Sequence, residues 1–220
     1  MNEYEKLIYT YFRHYKNFPV ILLNPNITEK FIRKNYDIES YLLSKNINLS
    51  EKFIKENMYI FSFKDISKNL NITEKFIDKY KNNLYWKYLS KNPNLSEEFI
   101  IQNKNNVYWK FISKRKDLSK EFIDKYSSYL YWDNICYYYN NPLFLLINYK
   151  SKINWDRLSY NKNLSHIILY KYINKLNWGI ISSNVYVNIE YLYNEFYGYI
   201  NWEKISYRFN LPIWFIIKNK

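Results

Sequence analysis

The chain has 220 residues, 48% of them hydrophobic and 22% aromatic, with 33 Lys and Arg against 20 Asp and Glu, a net charge of +13. That is too much apolar surface for a disordered polymer and enough for a folded core. One cysteine, two glycines and apolar runs no longer than Leu143–Ile147 exclude an intramolecular disulfide, a glycine-rich phosphate loop and a membrane-spanning helix.

Alanine is absent, and Asn, Lys, Ile, Tyr and Phe dominate, the residues of A- and T-rich codons. Only Arg13, Arg33, Arg115, Arg157 and Arg208 supply guanidinium groups; every other basic residue is Lys. A site selected to grip phosphates or base edges favours the Arg fork, so much of this charge is read as codon bias and solubility. It still predicts weak, salt-sensitive attraction to polyanions.

In chain order, Tyr4, Leu7, Ile8, Tyr11, Phe12 and Tyr15 stand three and four apart, with charged residues between them. Residues 1–20 read as an amphipathic capping helix that Pro19 ends. From residue 21 onward one phrase returns, most clearly as Leu84–Ile100, LYWKYLSKNPNLSEEFI. Trp86 recurs at a step of 23 as Trp109, Trp132, Trp155 and Trp178, then after 24 as Trp202. A fixed period of this kind marks a repeat array. Its copies begin near Asn24, Asn46, Asn69, Asn92, Arg115, Tyr138, Asn161, Asn184 and Arg208, nine in all.

Each copy carries two short helical signals. Thr28, Ser50, Thr73, Ser96, Ser119 and Ser165 are N-caps, and Pro142 and Pro212 take that position in two copies. Glu29, Glu51, Glu74 and Glu97 follow where the helix dipole favours negative charge. This first helix is expected to run about eight to ten residues. The second signal is Trp with Leu or Ile three residues on, as Trp86 and Leu89, one turn of α or 3₁₀ helix. A strand is its competing reading, since Leu-x-Trp also alternates.

Such helices need stacking to persist. Trp86, Trp109, Trp132, Trp155, Trp178 and Trp202 are therefore read as the structural core. A buried Trp removes about 150–250 Å² from water, roughly 4–6 kcal/mol gross. On that reading Trp109→Ala costs about 3–5 kcal/mol. Two Asn columns, Asn46, Asn69, Asn92, Asn161 and Asn184, and Asn26, Asn48, Asn71, Asn94, Asn140, Asn163 and Asn210, predict a ladder of amides satisfying turn backbone. Five N-x-S/T triplets fall in the second column and read as the same punctuation rather than glycan acceptors.

The phrase WKYLSKNPNLSEEFI resembles the leucine-rich-variant type of repeat, in which Asn-Pro-Asn precedes a short helix ending in paired apolar residues. It also resembles tandem-repeat proteins of nucleocytoplasmic large DNA viruses. The resemblance covers about residues 20–220. It implies a right-handed solenoid of alternating α and 3₁₀ helices, and a host-directed or virion role. The motif departs from the pattern around residues 136–149 and after Val185.

No catalytic constellation, metal-ligand cluster or cofactor motif is read. His14 and His166 stand in different contexts, and Cys136 occupies a column of serines. Two surfaces carry candidate binding residues. A lysine column, Lys45, Lys68, Lys91 and Lys114, becomes tyrosine as Tyr137, Tyr160 and Tyr207, and residues 134–189 hold a single acid, Asp156, among lysines and tyrosines. Tyr anchors protein interfaces, and Tyr interleaved with Lys also stacks bases.

The sequence thus predicts an all-α solenoid of about nine short two-helix repeats, right-handed as the resemblance implies, with residues 1–20 as cap and 21–220 as one domain. The expected role is a non-enzymatic, intracellular scaffold that binds another protein and needs no cofactor. The alternative is a basic solenoid that binds nucleic acid through the Lys column and the Tyr-rich face.

Overall fold

The structure is a computed structural model that describes residues 3, 5, 6, 22–24, 26–35, 43, 46 and 48–219. Among the described residues there are sixteen α-helices and no strand. They belong to two compact units, Met1–Tyr108 and Trp109–Lys220, each a tandem series of short helices. Of the expected capping helix only Glu3, Glu5 and Lys6 are described, all helical, and Tyr4, Leu7, Ile8, Tyr11, Phe12 and Tyr15 lie outside the described residues.

The local sequence explains each boundary. Ser50, Thr73, Ser96 and Ser119 each accept, through the hydroxyl, the backbone N–H three residues on, that of Phe53, Phe76, Phe99 and Phe122. These first helices run six or seven residues, as Glu97–Gln102 and Lys120–Tyr126, shorter than expected. In two of them an Asn ends the helix: Asn57 and Asn103 donate Nδ2 back to the carbonyls of Phe53 and Phe99. Pro142 occupies the first turn rather than the cap, and Asn141 caps that helix through Phe144 N–H. The Trp segments are helices, not strands, as Trp86–Leu89 and Trp155–Ser159. Where 3₁₀ turns occur they link helices, as at Lys150–Lys152.

The innermost layer differs from the expected one. Leu89, Ile112, Ile135, Leu158 and Ile181, three residues after each Trp, are at most 1% exposed, as are Ile77 and Ile123 from the first helices. Trp86, Trp109, Trp132, Trp155 and Trp178 are half-buried, and Trp202 is 39% exposed. The expected deep Trp core is thus corrected to a band at the core's edge. The indole N–H is one cause: it needs an acceptor, and Trp132 and Trp178 reach the carbonyls of Ser127 and Ile173 at the rim.

Polar side chains tie successive repeats together within each unit. In the first unit the buried Asn46 donates Nδ2 to the carbonyls of Leu22 and Asn24, and Asn69 to that of Leu49. In the second, Asn161 donates to Cys136 and Tyr139 and Asn184 to Ser159 and Asn161. Each of these amides also turns its own chain, the Oδ1 accepting the N–H two residues on. The Asn ladder is therefore present. Asn92 departs from it, since its buried Nδ2 has no acceptor and Asn94 takes the Leu70 carbonyl. Arg208 stands in the same column and reaches the carbonyls of Asn184 and Val187.

A second ladder uses buried serines. Ser67, Ser90, Ser113 and Ser159 donate to the carbonyl four residues back and accept the backbone N–H of Tyr85, Tyr108, Tyr131 and Asn177, 18 residues on, at 2.8–2.9 Å. Cys136 fills this column in one repeat, where the Asn154 N–H faces its thiol; burial pushes that thiol up to about 11.

A third ladder is seen in the first unit. Glu29, Glu51 and Glu74 accept the backbone N–H of Ser50, Thr73 and Ser96, the cap residue of the next repeat, at 2.6–2.7 Å. Glu5 does the same for Thr28 at 2.9 Å. Burial works against the Glu51 charge, but hydrogen bonds from Lys55 and Thr73 outweigh it and hold the carboxyl below its ordinary value of 4.5. Its folded value is lower than its unfolded one, so its stabilisation is complete above 4.5 and is lost as pH falls through the folded value. Glu51→Gln is expected to lower the melting temperature more at pH about 7 than at pH about 3. Thermal unfolding at the two pH values checks this; an equal offset at both contradicts it.

Candidate binding face

The second unit gathers the tyrosines. Trp132–Tyr138 ends in Tyr137 and Tyr138, whose ring centroids lie 4.6 Å apart, and Tyr137 lies 6.0 Å from Tyr160 on the next repeat. The link follows from the period: residues 137 and 160 hold the same place in adjacent copies. Lys114 sets its ammonium 5.9 Å from the rings of both Phe111 and Tyr138. Beside them a concavity of about 460 Å³ opens between Lys110 and Arg157, lined also by Tyr131, Tyr137 and Tyr138. Its carboxylate, Asp133, accepts from Asn154 Nδ2 at 2.8 Å, a bond between repeats that Asp156 and Asn177 repeat one copy later. The face is thus aromatic and basic, with its one lining acid already engaged.

Of the sequence-derived candidates, Tyr137, Tyr160 and Lys114 come together here. Lys68 and Lys91 belong to the first unit, where their ammonium groups lie 5.2 and 5.7 Å from the Tyr88 ring. Lys68 also pairs with Asp65 at 2.7 Å. Tyr207 stands apart on the last repeat beside Lys204, because the copy between it and Tyr160 carries Ser183 at that position. Lys45 lies outside the described residues.

Lys110, Tyr131 and Tyr138 escaped the sequence reading. A signal for Tyr131 was present: the residue before Trp is Tyr in three copies, Tyr85, Tyr108 and Tyr131, and all three are about half exposed. A second concavity, about 550 Å³, is lined by Ile147, Lys150, Lys171, Tyr172 and Lys175 among others. Lys150 and Lys171 both lie within 6 Å of the Tyr172 ring, at 5.9 and 5.8 Å.

Among the described residues no three His, Cys, Asp or Glu side chains are placed to hold a metal ion, and no helix is long and apolar enough to cross a membrane. His166 is exposed, its ring 6.0 Å from that of Tyr191. No protein-family model, no curated protein and no solved structure matches the chain.

Proposed function

We propose that the chain is a non-enzymatic repeat scaffold that binds another protein through the face built by Tyr137, Tyr138 and Tyr160. The concavity between Lys110 and Arg157 carries this reading. Its volume suits one or two inserted side chains of a partner. Its Tyr and Arg lining is the composition that anchors protein interfaces, and burying a ring against a partner there is worth more than a rim charge. The recurring Asn and Ser positions serve the ladders between copies, which leaves this more variable stretch for recognition. The resemblance of the repeat to viral tandem-repeat proteins adds a host-directed or virion setting to the proposal.

The basic side chains around these rings also fit single-stranded nucleic acid. Two observations favour protein. The rings of Tyr137, Tyr138 and Tyr160 tilt against one another, at 57° and 36°, rather than offering open parallel faces for bases. Lys114, moreover, is placed against two protein rings.

The test is a Tyr137→Ala/Tyr160→Ala variant. These side chains are 37% and 45% exposed, so the melting temperature should change little. Affinity for the protein captured by the parent chain, measured with purified components, should fall at least about tenfold. Unchanged affinity refutes the proposed face. Tight binding of a single-stranded oligonucleotide that collapses between about 50 and 200 mM salt would replace the protein reading with the nucleic-acid one.

A further inference from the structure

The second concavity of the second unit is basic throughout. Lys150, Lys171 and Lys175 line it together with Ile147 and Ile173, and its lining contains no acid. Among the described residues no carboxylate pairs with any of the three lysines. Asp156, the one acid between residues 134 and 189, holds Asn177, and Asp124 of the preceding copy accepts the Tyr149 hydroxyl. The helices beside the concavity have changed as well. On the helix Lys120–Tyr126 the exposed outer positions are Glu121 and Asp124. The same positions are Phe144 and Ile147 on Pro142–Asn148, and Ile167 and Tyr170 on His166–Lys171. Ile147, Ile167 and Tyr170 are 67%, 51% and 71% exposed. Exposed apolar side chains on two successive helices, rimmed by cations without counter-charges, mark an interaction surface.

We propose that this face binds an acidic peptide segment of a partner protein, one in which carboxylates are interleaved with bulky apolar side chains. Charge complementarity selects the carboxylates: they would supply the counter-charges that Lys150, Lys171 and Lys175 lack. Lysine suits this task, since its ammonium rotates on a flexible stem and follows carboxylates that are not held in one plane. The apolar side chains of the segment would cover Ile147 and Tyr170. A concavity of about 550 Å³ accepts protruding side chains, which a flat lipid surface does not offer. The ring that Lys150 and Lys171 share, Tyr172, is 8% exposed, so it presents no open face on which a base could stack. This concavity has no lining residue in common with the one at Tyr137 and Tyr138, and the inference stands independently of that face.

Selection from a random peptide library displayed on phage, with the full chain as target, tests this. The expected result is a set of peptides rich in Asp and Glu with apolar residues between them. Synthesised alone, they should bind the parent chain more weakly as salt rises from about 50 to 200 mM. Lys150→Glu/Lys171→Glu should weaken that binding at least about tenfold, and Ile147→Ser should weaken it in the same direction. All three residues are exposed, so the variants keep their fold, which an unchanged melting temperature verifies. Tyr137→Ala/Tyr160→Ala should leave the affinity for these peptides as it is. Selected peptides that are neutral or basic overturn the proposal, as do acidic ones that bind Lys150→Glu/Lys171→Glu as tightly as the parent. Peptides that depend on Tyr137 and Tyr160 alone overturn it too, while supporting the other face. Binding to phosphatidylserine–phosphatidylcholine vesicles, lost in Lys150→Glu/Lys171→Glu and with no acidic peptide selected, would replace the peptide with a lipid surface.

Discussion

Asn161→Asp is expected to destabilise the second unit by about 3–5 kcal/mol at pH 7 and by clearly less in acid. Asn161 is fully buried. Its Nδ2 lies 2.8 and 3.0 Å from the carbonyl oxygens of Cys136 and Tyr139, and its Oδ1 accepts the Asn163 N–H at 2.8 Å. The change keeps the shape and the acceptor but aims a carboxylate oxygen at two carbonyls without water. Repulsion and desolvation then raise the folded pKa of the new acid above its unfolded value. For a carboxyl the penalty is full above the folded pKa and falls away below it, where the protonated acid can donate to one carbonyl. Asn161→Ala loses all three bonds and should cost about 2–4 kcal/mol with no such recovery. Urea unfolding of both variants, each compared with the parent at pH about 7 and 4.5, separates the two patterns. A pH-independent offset for the Asp variant would show that Asn161 is a space-filler and not a ladder member.

Phe122→Ala is expected to cost about 3–5 kcal/mol and Trp109→Ala only about 1.5–3 kcal/mol, although Trp is the larger side chain. Phe122 is 3% exposed, whereas Trp109 is half-buried against Phe122, Tyr126 and Tyr129. The hydrophobic contribution follows the apolar area removed from water, and an indole at the rim keeps part of its area wet. Truncating Phe122 opens a cavity between Trp109 and Tyr126, while truncating Trp109 opens a notch that solvent fills. A Trp109→Ala loss equal to or larger than that of Phe122→Ala, by chemical denaturation, would return the tryptophans to the core.

That reversal shows what spacing can and cannot convey. Trp109 and Ile112 share one helical face, so periodicity identifies both as inward, but it does not give depth. The shorter Ile112 goes fully inside and the Trp stays at the edge. Caps at Ser96 and Ser119 were legible because their partners lie three residues away. The Asn ladder was legible because amides at a fixed period need acceptors at a fixed period. Glu29, Glu51 and Glu74 were read only as dipole partners, since their actual donors lie 21 or 22 residues on, in the next copy. Likewise Tyr137 and Tyr160 could be paired by the period, whereas Lys110 and Tyr131 reach the same concavity from other columns. The lysines read as one solvated column stand against rings: Lys68 and Lys91 at Tyr88, Lys114 at Phe111 and Tyr138.

The recurring Asn and Ser positions of the repeat form bonds between copies, and amide hydrogen exchange tests this most directly. Tyr85, Tyr131 and Asn177 precede their helices, so their N–H groups have no acceptor within the helix. Their side chains reach solvent, and on local grounds these amides should exchange quickly. In the structure they donate to the buried hydroxyls of Ser67, Ser113 and Ser159 at 2.8–2.9 Å. They are therefore expected to exchange as slowly as the core amides of Ile77 and Ile123, through large-scale unfolding. Asn154, which faces the weaker acceptor Cys136, should exchange faster than Asn177. Exchange of Tyr85, Tyr131 and Asn177 at the rates of open turns would contradict the ladder and the assignment of the repeated positions to structure.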